Sequence, residues 1–378
     1  MDLLLSLDYE LCGNGAGDVM RDIIHPTGRI LNLCERHGAK MTIMCEVGEY
    51  WAFEQYDAGL RADLGYSPCA AIRAQIIEAI QRGHDVQLHL HPQWIGAEYG
   101  QGGWRLRNSC WRLADLPDGL GSPEQVTSII GVLCRGKRAL EDALRPVKAD
   151  YECTCFRAGG FYAQPARSII AALKTAGLRA DSSVVKRYKT SAPFEVDYSQ
   201  VETDKTAWWT TDADLTAEGR PEEGVFELSV SSKMEPYWKS LTKTKLRSVS
   251  RYWRMEKEAQ GNRSAGRSVS ALPKGAEVLR RMLKKRPSLF DFCTLSSKGM
   301  LRRMAEHRGN PEGPVVVIGH SKDFVNDREF DRFLAALHQD ETVRSQGMSE
   351  YVRRTLSRTG TAESREAGCR GPASSGTR

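Results

Sequence analysis

The sequence contains no apolar run long enough to span a bilayer and no motif that would hold a nucleotide. Its 378 residues include nothing close to the roughly 18 consecutive apolar residues of a membrane-spanning helix. The N-terminus, MDLLLSLDYELCG, has no basic region and is interrupted by acids, which is not the pattern of a signal peptide. We therefore expect a cytoplasmic protein. No G-x-G-x-x-G or phosphate-binding loop follows any predicted strand, which argues against a nucleotide-binding fold.

The ten cysteines include no CxxC pair. In a protein without an export signal a disulfide framework is not expected. The closest pair, Cys153 and Cys155, lies on a predicted strand, and we interpret both as buried thiols that pack in a core rather than as a metal or redox site.

The charge is distributed unevenly along the chain. The net charge is +6, yet residues 243–308 hold 18 Lys or Arg and 5 Asp or Glu, which gives 18 − 5 = +13 and leaves 6 − 13 = −7 for the rest. A basic segment on an acidic body predicts an anionic partner, such as a phosphate-bearing substrate or an anionic membrane face. A solvated helical insertion would give the same composition. The interleaved Trp and Tyr also allow nucleic-acid binding, but no recognised motif supports it and no nucleic acid is expected.

Short apolar runs alternate with amphipathic patterns, which favours a parallel α/β sheet. Seven such strands predict a closed or nearly closed (β/α) barrel, with an open doubly wound sheet as the alternative. The predicted strands are Leu3–Leu7, Ala39–Val47, Asp85–His91, Glu152–Arg157, Leu178–Asp181, Gly224–Ser231 and Pro314–His320. The predicted helices are Asp22–His37, Ala70–Arg82, Ser122–Leu144, Gln164–Ala176 and Glu329–His338.

The stretch 233–313 is too long for a simple crossover and predicts a basic helical insertion beside the barrel mouth, with one helix over Ala276–Arg286. We expect residues 1–340 to form the barrel domain and 341–378 to hold a C-terminal helix remnant and a disordered tail from about Ser357, because the last residues are rich in Ser, Thr, Gly, Arg and Glu.

Polar side chains stand at the carboxyl ends of several predicted strands. Asp8 and Glu10 share one face of the first strand, and His89 and His91 share one face of the third, because side chains two residues apart on a strand point the same way. Paired carboxylates and paired imidazoles suit a metal ion and a general base, and Gln93 could reach the same place.

Three later strands end in further polar groups: Arg157 before two glycines, Asp181 before two serines, and His320 after four aliphatic residues. Arg157 could pair with a carboxylate across the barrel, and His320 is placed to donate a proton. Each group alone has an ordinary structural explanation. Five in series at strand ends predict one active site at the carboxyl-end mouth of a barrel.

These motifs, in this order, resemble those of the polysaccharide deacetylase family (NodB-homology domain, carbohydrate esterase family 4). The similarity runs over roughly residues 2–330 through LSLDYE, GHDVQLHLHPQW, FRAGGF, GLRADSSV and VVVIGHSKDF. It implies a distorted (β/α) barrel of about seven strands and a hydrolase that uses a divalent metal, by expectation Zn²⁺, to remove an N-acetyl or other N-acyl group from a sugar. In a cytoplasmic protein the substrate would be a sugar-phosphate or lipid-linked precursor.

The resemblance also implies a role for each matching residue. Asp8 resembles the catalytic base, Arg157 the residue that holds it, His320 the catalytic acid and Asp181 its supporting carboxylate. The metal ligands it implies are Glu10, His89 and His91, with Gln93 as the alternative to His91.

The sequence departs from the family pattern in several places. Tyr9 separates the two acids, Gln93 stands where the family has its second metal histidine, and the third and fourth motifs lack the usual Pro and Trp. Alternation favours His91 over Gln93, because an amide oxygen is a poorer zinc ligand than imidazole. The departures motivate an alternative function, a catalytically weakened barrel that binds a carbohydrate or a lipid-linked sugar.

Overall fold

The computed structural model describes residues 1–100, 103–191, 194–201, 205–243, 245–247, 249–251, 282–308 and 313–357. The strands are β1 (Asp2–Tyr9), β2 (Met41–Glu46), β3 (Asp85–Leu90), β4 (Glu98–Gly100), β5 (Gly103–Arg105), β6 (Cys155–Ala158), β7 (Ala180–Asp181), β8 (Lys189–Thr190), β9 (Val196–Asp197), β10 (Ala207–Trp209), β11 (Phe226–Leu228), β12 (Ser232–Pro236), β13 (Lys285–Leu289), β14 (Val315–His320) and β15 (Arg344–Ser345). The α-helices are α1 (His25–Arg36), α2 (Val47–Gln55), α3 (Asp57–Leu64), α4 (Pro68–Gln81), α5 (Ile129–Leu144), α6 (Ala166–Thr175), α7 (Ser297–Arg308), α8 (Asp327–His338) and α9 (348–357).

The main sheet has the order β10-β11-β7-β6-β3-β2-β1-β14, with β15 paired to β1. Its pairs are parallel except for β10 with β11. All seven predicted strands lie in this sheet, most with shorter bounds, so the α/β class with a parallel-dominated sheet is confirmed.

The sheet curls into a half-barrel, and irregular backbone bridges the gap between β11 and β14. Ser231 N donates to Val316 O (3.0 Å), and Phe290 N donates to Ser231 O (2.7 Å). Ile318 N then donates to Phe290 O (2.9 Å). Because these connecting segments are not regular strands, the closure is distorted, as the sequence predicted.

Strand alternation gives the barrel a packed outer layer and an inward face that carries both apolar and polar side chains. On β1 the outward residues Leu3, Leu5 and Leu7 pack in the cluster formed with the helices, and the inward residues are Leu4, Ser6 and Asp8. At the amino ends the interior holds apolar side chains together with Thr42, Asp85 and Gln87, whose buried polar atoms bond one another and the neighbouring backbone. Toward the carboxyl ends the inward positions carry Asp8, Glu46 and His89, so ionisable groups collect at that end.

Residues 341–357 close the amino end of the barrel. Helix α9 inserts Met348, Tyr351 and Val352 into the interior apolar cluster. Asp85, at the start of β3, accepts hydrogen bonds from Ser349 N (3.0 Å) and Ser349 Oγ (2.9 Å). The predicted C-terminal helix therefore packs as part of the barrel, and the predicted tail from 358 lies outside the described residues.

The structure corrects the start of one predicted helix and adds three helices that were not predicted. Helix α5 begins at Ile129 rather than near Ser122, because the side chain of Ser128 caps it by accepting a hydrogen bond from Gly131 N (3.0 Å). Helix α2 was not predicted at all, since the apolar run that forms β2 continues into it without a turn residue; Glu46 ends the strand and caps the helix. Helices α3 and α7 were missed as well.

The predicted basic insertion holds a two-stranded hairpin as well as helices. β12 pairs antiparallel with β13, with Ser232 opposite Leu289 and Pro236 opposite Lys285. The helix predicted over Ala276–Arg286 is therefore wrong at Lys285 and Arg286, where cross-strand pairing decides the backbone; 276–281 lie outside the described residues. No helix in the described part of the chain has the length and hydropathy needed to cross a membrane.

His84, just before β3, makes the fold sensitive to acid. Its Nδ1 accepts a hydrogen bond from Met41 N (3.2 Å), which requires the neutral ring, and burial lowers its pKa to about 4. Because the pKa in the unfolded chain is near 6.5, this contribution to stability is complete above pH 6.5 and is lost as the pH falls toward 4. It amounts to about 3 kcal/mol.

We expect His84→Asn to flatten the pH dependence of the unfolding free energy between pH 6.5 and 4. Asparagine can accept the same backbone hydrogen bond without a titrating ring. Urea unfolding at several pH values measures the slope, and identical slopes in the two proteins would refute the assignment.

Candidate functional site

Four buried side chains bring possible metal-ligating atoms together at the carboxyl ends of three neighbouring strands. Glu10, Glu46, His89 and His91 each offer one ligand atom, and these four atoms lie within 4.8 Å of one another. Glu10 follows β1, Glu46 ends β2, and His89 and His91 lie at the end of β3. The parallel register sets Glu46 beside His89, so the fold itself concentrates the four groups.

Glu10 lies at the centre of the cluster. Its Oε2 is 3.1 Å from His89 Nε2 and 2.7 Å from His91 Nε2, and its Oε1 accepts from Lys322 Nζ (2.5 Å). Burial alone would raise the pKa of this carboxyl. The Lys322 ammonium and the two histidines outweigh burial and hold the pKa well below its usual range. Glu10 is therefore a carboxylate.

His89 is oriented by the backbone. Its Nδ1 is 2.8 Å from Arg157 O, which directs Nε2 toward Glu10. A hydrogen bond from one ring nitrogen to a carbonyl is the usual support of a metal-binding histidine. Burial opposes protonation, but the charges of Asp8, Glu10 and Glu46 raise the pKa of His89 to about 9.

His91 depends on a glycine. A Cβ at Gly159 would lie 2.4 Å from the His91 ring, closer than any real contact, so the ring occupies space that only glycine leaves open. His91 Nδ1 is 3.1 Å from Gln93 Nε2, whose amide nitrogen also faces Gly13 O (3.4 Å). The structure thus brings together Glu10, His89, His91 and Gln93, the four residues that the sequence suggested for a metal.

The sequence-based search missed Glu46. Its Oε1 accepts from Gly48 N (2.8 Å) and caps α2, while Oε2 is buried with no hydrogen-bond partner among the described residues. Burial raises the pKa of this carboxyl, and His91 and His89 only partly oppose it. The rule that singled out Asp8 and Glu10, a carboxylate on the inward face at a strand's carboxyl end, would have found it.

Next to this cluster, Asp8 forms a fully buried ion pair. Arg157 Nη1 donates to Asp8 Oδ1 (2.6 Å). Arg157 Nη2 donates to Ser6 Oγ and Ser182 Oγ (3.0 Å each), and Nε donates to Ser182 O (3.0 Å). Burial would raise the pKa of Asp8, but Arg157, with His89 and His320, keeps it below its ordinary value. Asp8 is therefore ionised and fixed in direction.

His320, at the end of β14, completes the group and is its most accessible member, with 24% of its side chain exposed. Its Nε2 is 3.6 Å from Asp8 Oδ2, and its Nδ1 is 3.8 Å from Asp323 Oδ2. The charge of Asp291 also acts on it. A histidine here can contact both a molecule at the mouth and the buried Asp8.

The structure does not bring Asp181 to His320. On β7, Ala180 faces the barrel interior and Asp181, one residue later, faces the opposite side. Asp181 accepts from Ser183 Oγ (2.8 Å) and shares a hydrogen bond with Glu227, whose pKa is raised well above its usual range by burial and then by Asp181. Asp181 thus fixes the turn that leads from β7, and the carboxylates near His320 are Asp8, Asp291 and Asp323.

Lys322 and Asp291 were also missed. Lys322 Nζ reaches Glu10 Oε1 and Leu11 O (2.8 Å) from the turn after β14. Lys322 lies in the motif VVVIGHSKDF, two residues after His320, so the sequence offered it as a candidate site residue. Asp291 could not be predicted from sequence periodicity, because it lies on an irregular segment and not at the end of a predicted strand.

No protein-family model and no curated protein matches this chain. Among solved structures, one described as a "putative polysaccharide deacetylase" from Mycobacterium smegmatis is 12% identical over 95% of this chain and 91% of its own, with a TM-score of 0.43. A 4-alpha-glucanotransferase from Thermococcus litoralis is 12% identical over 94% of this chain and 38% of its own, with a TM-score of 0.42. Both similarities are too low to decide a function, and the family resemblance of the motifs stays a prediction.

Proposed function

We propose that this chain is a metal-dependent hydrolase that removes an N-acetyl or other N-acyl group from a sugar-containing substrate. The observation that carries the proposal is the buried cluster of Glu10, Glu46, His89 and His91 beside the ionised Asp8. A general base, a candidate metal site and an accessible histidine within one mouth are the parts that metal-assisted hydrolysis requires.

The residues present fit a divalent metal. Two imidazoles and two carboxylates form a donor set that suits Zn²⁺, and Glu46 Oε2 is a buried oxygen whose partner is missing from the described residues. We infer that Glu10, His89 and His91 hold the ion, with Glu46 as an added donor. When bound, such an ion polarises a carbonyl and makes water more acidic.

The chain's own residues supply the proton transfers. Asp8, ionised and aimed by Arg157, accepts the proton of the attacking water. His320 donates a proton to the departing amine. The products are the free acid and an amino group on the sugar. A general base and a general acid typically contribute about 10²–10⁴-fold each.

One observation favours a different function, a barrel that binds a carbohydrate or lipid-linked sugar without hydrolysis. Lys322 already places an ammonium against Glu10. A permanent internal cation can neutralise a carboxylate that a metal would otherwise hold. Metal content separates the two functions, since a binding protein needs no stoichiometric ion.

We expect the purified protein to contain about one divalent ion per chain, measured by inductively coupled plasma mass spectrometry. His89→Ala and Glu46→Gln should lose it, because each removes a donor from the cluster. His338→Ala, on the exposed surface of α8, is the matched control and should keep it.

An absence of metal after reconstitution with Zn²⁺, Mn²⁺ or Co²⁺ would overturn the hydrolase proposal and favour the binding protein. Retention in His89→Ala with loss in His338→Ala would move the site elsewhere. With metal present, release of acetate from N-acetylated sugar phosphates is the activity to screen.

A further inference from the structure

One surface of the protein combines exposed apolar side chains with a high density of basic side chains. Its first part is residues 237–251, of which all but 244 and 248 are described, and its second part is residues 282–289; the described residues of both parts are here called the basic arm. The arm contains five Lys or Arg in its first part and three in its second, and no Asp or Glu in either. Of the nine large apolar side chains exposed in the described part of the chain, five lie in the arm. They are Trp238, Leu241, Leu246, Val249 and Leu283.

The two parts of the arm form one continuous surface. Tyr237 N donates to Lys284 O (3.2 Å), and β12 and β13 pair directly beneath them. The cations of Arg286 and Lys245 lie 5.3 and 5.5 Å from the centre of the Tyr237 ring. The exposed Trp238 and Leu283, each next in sequence to one of these bonded residues, therefore lie close to the basic side chains of both parts.

The arm is attached at the rim of the candidate site. Thr242 Oγ1 donates to Thr294 O, near Asp291. Arg251 Nη2 bonds Asp22 Oδ1 (2.7 Å), and its Nη1 donates to Phe324 O (3.3 Å), just after the turn that follows His320. The surface thus lies at the carboxyl-end mouth and not at the end closed by α9.

We propose that the basic arm docks this protein on an anionic lipid bilayer, with its mouth facing the bilayer surface. Exposed Trp and Leu among Lys and Arg are typical of interfacial anchors, since the apolar side chains enter the headgroup region and the cations meet anionic headgroups. A purely electrostatic partner would explain the lysines but not five exposed apolar side chains beside them. A purely apolar partner would not explain the excess of Lys and Arg in the arm.

The proposal does not depend on the hydrolase chemistry, because it concerns a surface and not the metal cluster. If both hold, the substrate is presented at a membrane surface, which selects sugars linked to a lipid over free sugars in solution.

The test is co-sedimentation of the purified full-length chain with phosphatidylcholine vesicles that contain or lack phosphatidylglycerol. We expect binding to the anionic vesicles, little binding to the neutral ones, and weakening at high salt. Lys284→Glu combined with Lys285→Glu should lower the partition coefficient by about 30-fold or more, since each juxtamembrane charge changes it about fivefold. Trp238→Ala combined with Leu246→Ala should also weaken binding.

Two control variants match these changes elsewhere on the surface. Leu64→Ala with Val126→Ala removes equally exposed apolar groups, and Arg138→Glu with Lys148→Glu reverses two exposed charges. Both controls should keep binding within about twofold of the unmodified chain.

Absence of binding to anionic vesicles at low salt overturns the proposal. So does equal loss of binding in the arm variants and the controls. If Trp238→Ala with Leu246→Ala instead converts a dimer to a monomer and leaves vesicle binding unchanged, the arm pairs two copies of the chain. Metal content is measured on the same samples, so failure of the docking proposal and failure of the hydrolase proposal remain distinguishable.

Discussion

Replacement of Asp8 by asparagine should lower kcat by about 10²–10⁴-fold while the protein stays folded and keeps its metal. Asparagine has nearly the same shape and can still accept the hydrogen bond that Arg157 Nη1 now donates to Asp8 Oδ1 at 2.6 Å. What it loses is the negative charge that takes up a proton. The loss should appear in kcat far more than in KM, because the charge acts in the transition state.

The measurement is the rate of acyl release from the substrate identified by the screen, together with metal content and the unfolding midpoint. Asp323→Asn is the matched control: Asp323 lies on the other side of His320, with its Oδ2 3.8 Å from His320 Nδ1. Asp323→Asn should lower kcat much less than Asp8→Asn does. A near-normal rate in Asp8→Asn, or an equal loss in both variants, would remove Asp8 from the role of base.

The sheet was predictable because its signals are local. Each apolar run that forms β1, β2, β3, β6 and β14 is short, and most begin or end near glycine or charged residues. Period-two alternation then fixed which side chains share a face, which is why Asp8 and Glu10 on one strand and His89 and His91 on another point inward together. Alternation depends only on the sequence of one strand, so it can be used without knowing which strands pair.

The predictions that failed depended on a boundary or on distant contacts. Glu46 was not recognised as a strand end because the predicted strand ran on to Val47, and nothing in AKMTIMCEV marks the end of β2 at Glu46. Asp181 was given a role beside His320, but a shift of one residue turns a side chain to the other face of a strand, and the pairing of β7 with β6 and β11 places Asp181 outward. Asp291 reaches the site through irregular backbone, which no periodicity describes.

Asp8 and Arg157 illustrate how the fold and the site depend on each other. The sequence suggested that an arginine at one strand end could meet a carboxylate across the barrel, and the structure places the two in contact 149 positions apart. The arginine has no exposed surface and also bonds Ser6 and Ser182. It ties β1, β6 and the turn after β7 together, so the group that ionises the base also holds this end of the barrel.

Arg157→Met should therefore destabilise the protein by about 3–5 kcal/mol, the usual cost of leaving one partner of a buried ion pair uncompensated. Without the guanidinium, burial would raise the pKa of Asp8. The variant should then regain stability as the pH falls and Asp8 takes up a proton, whereas the unmodified pair is stabilising above the ordinary carboxyl pKa and is lost in acid. Urea unfolding at neutral and mildly acidic pH measures both effects.

The double variant Asp8→Asn with Arg157→Met separates charge from packing. If the cost of losing Arg157 is mainly the unpaired charge of Asp8, the same change in the Asp8→Asn background should cost less, by about 1–3 kcal/mol. Strict additivity would mean that the contacts of Arg157 with Ser6 and Ser182 carry the stability and that its charge is irrelevant to the fold. In that case Arg157 would not be the group that keeps Asp8 ionised, and the assignment of Asp8 as the base would lose that support.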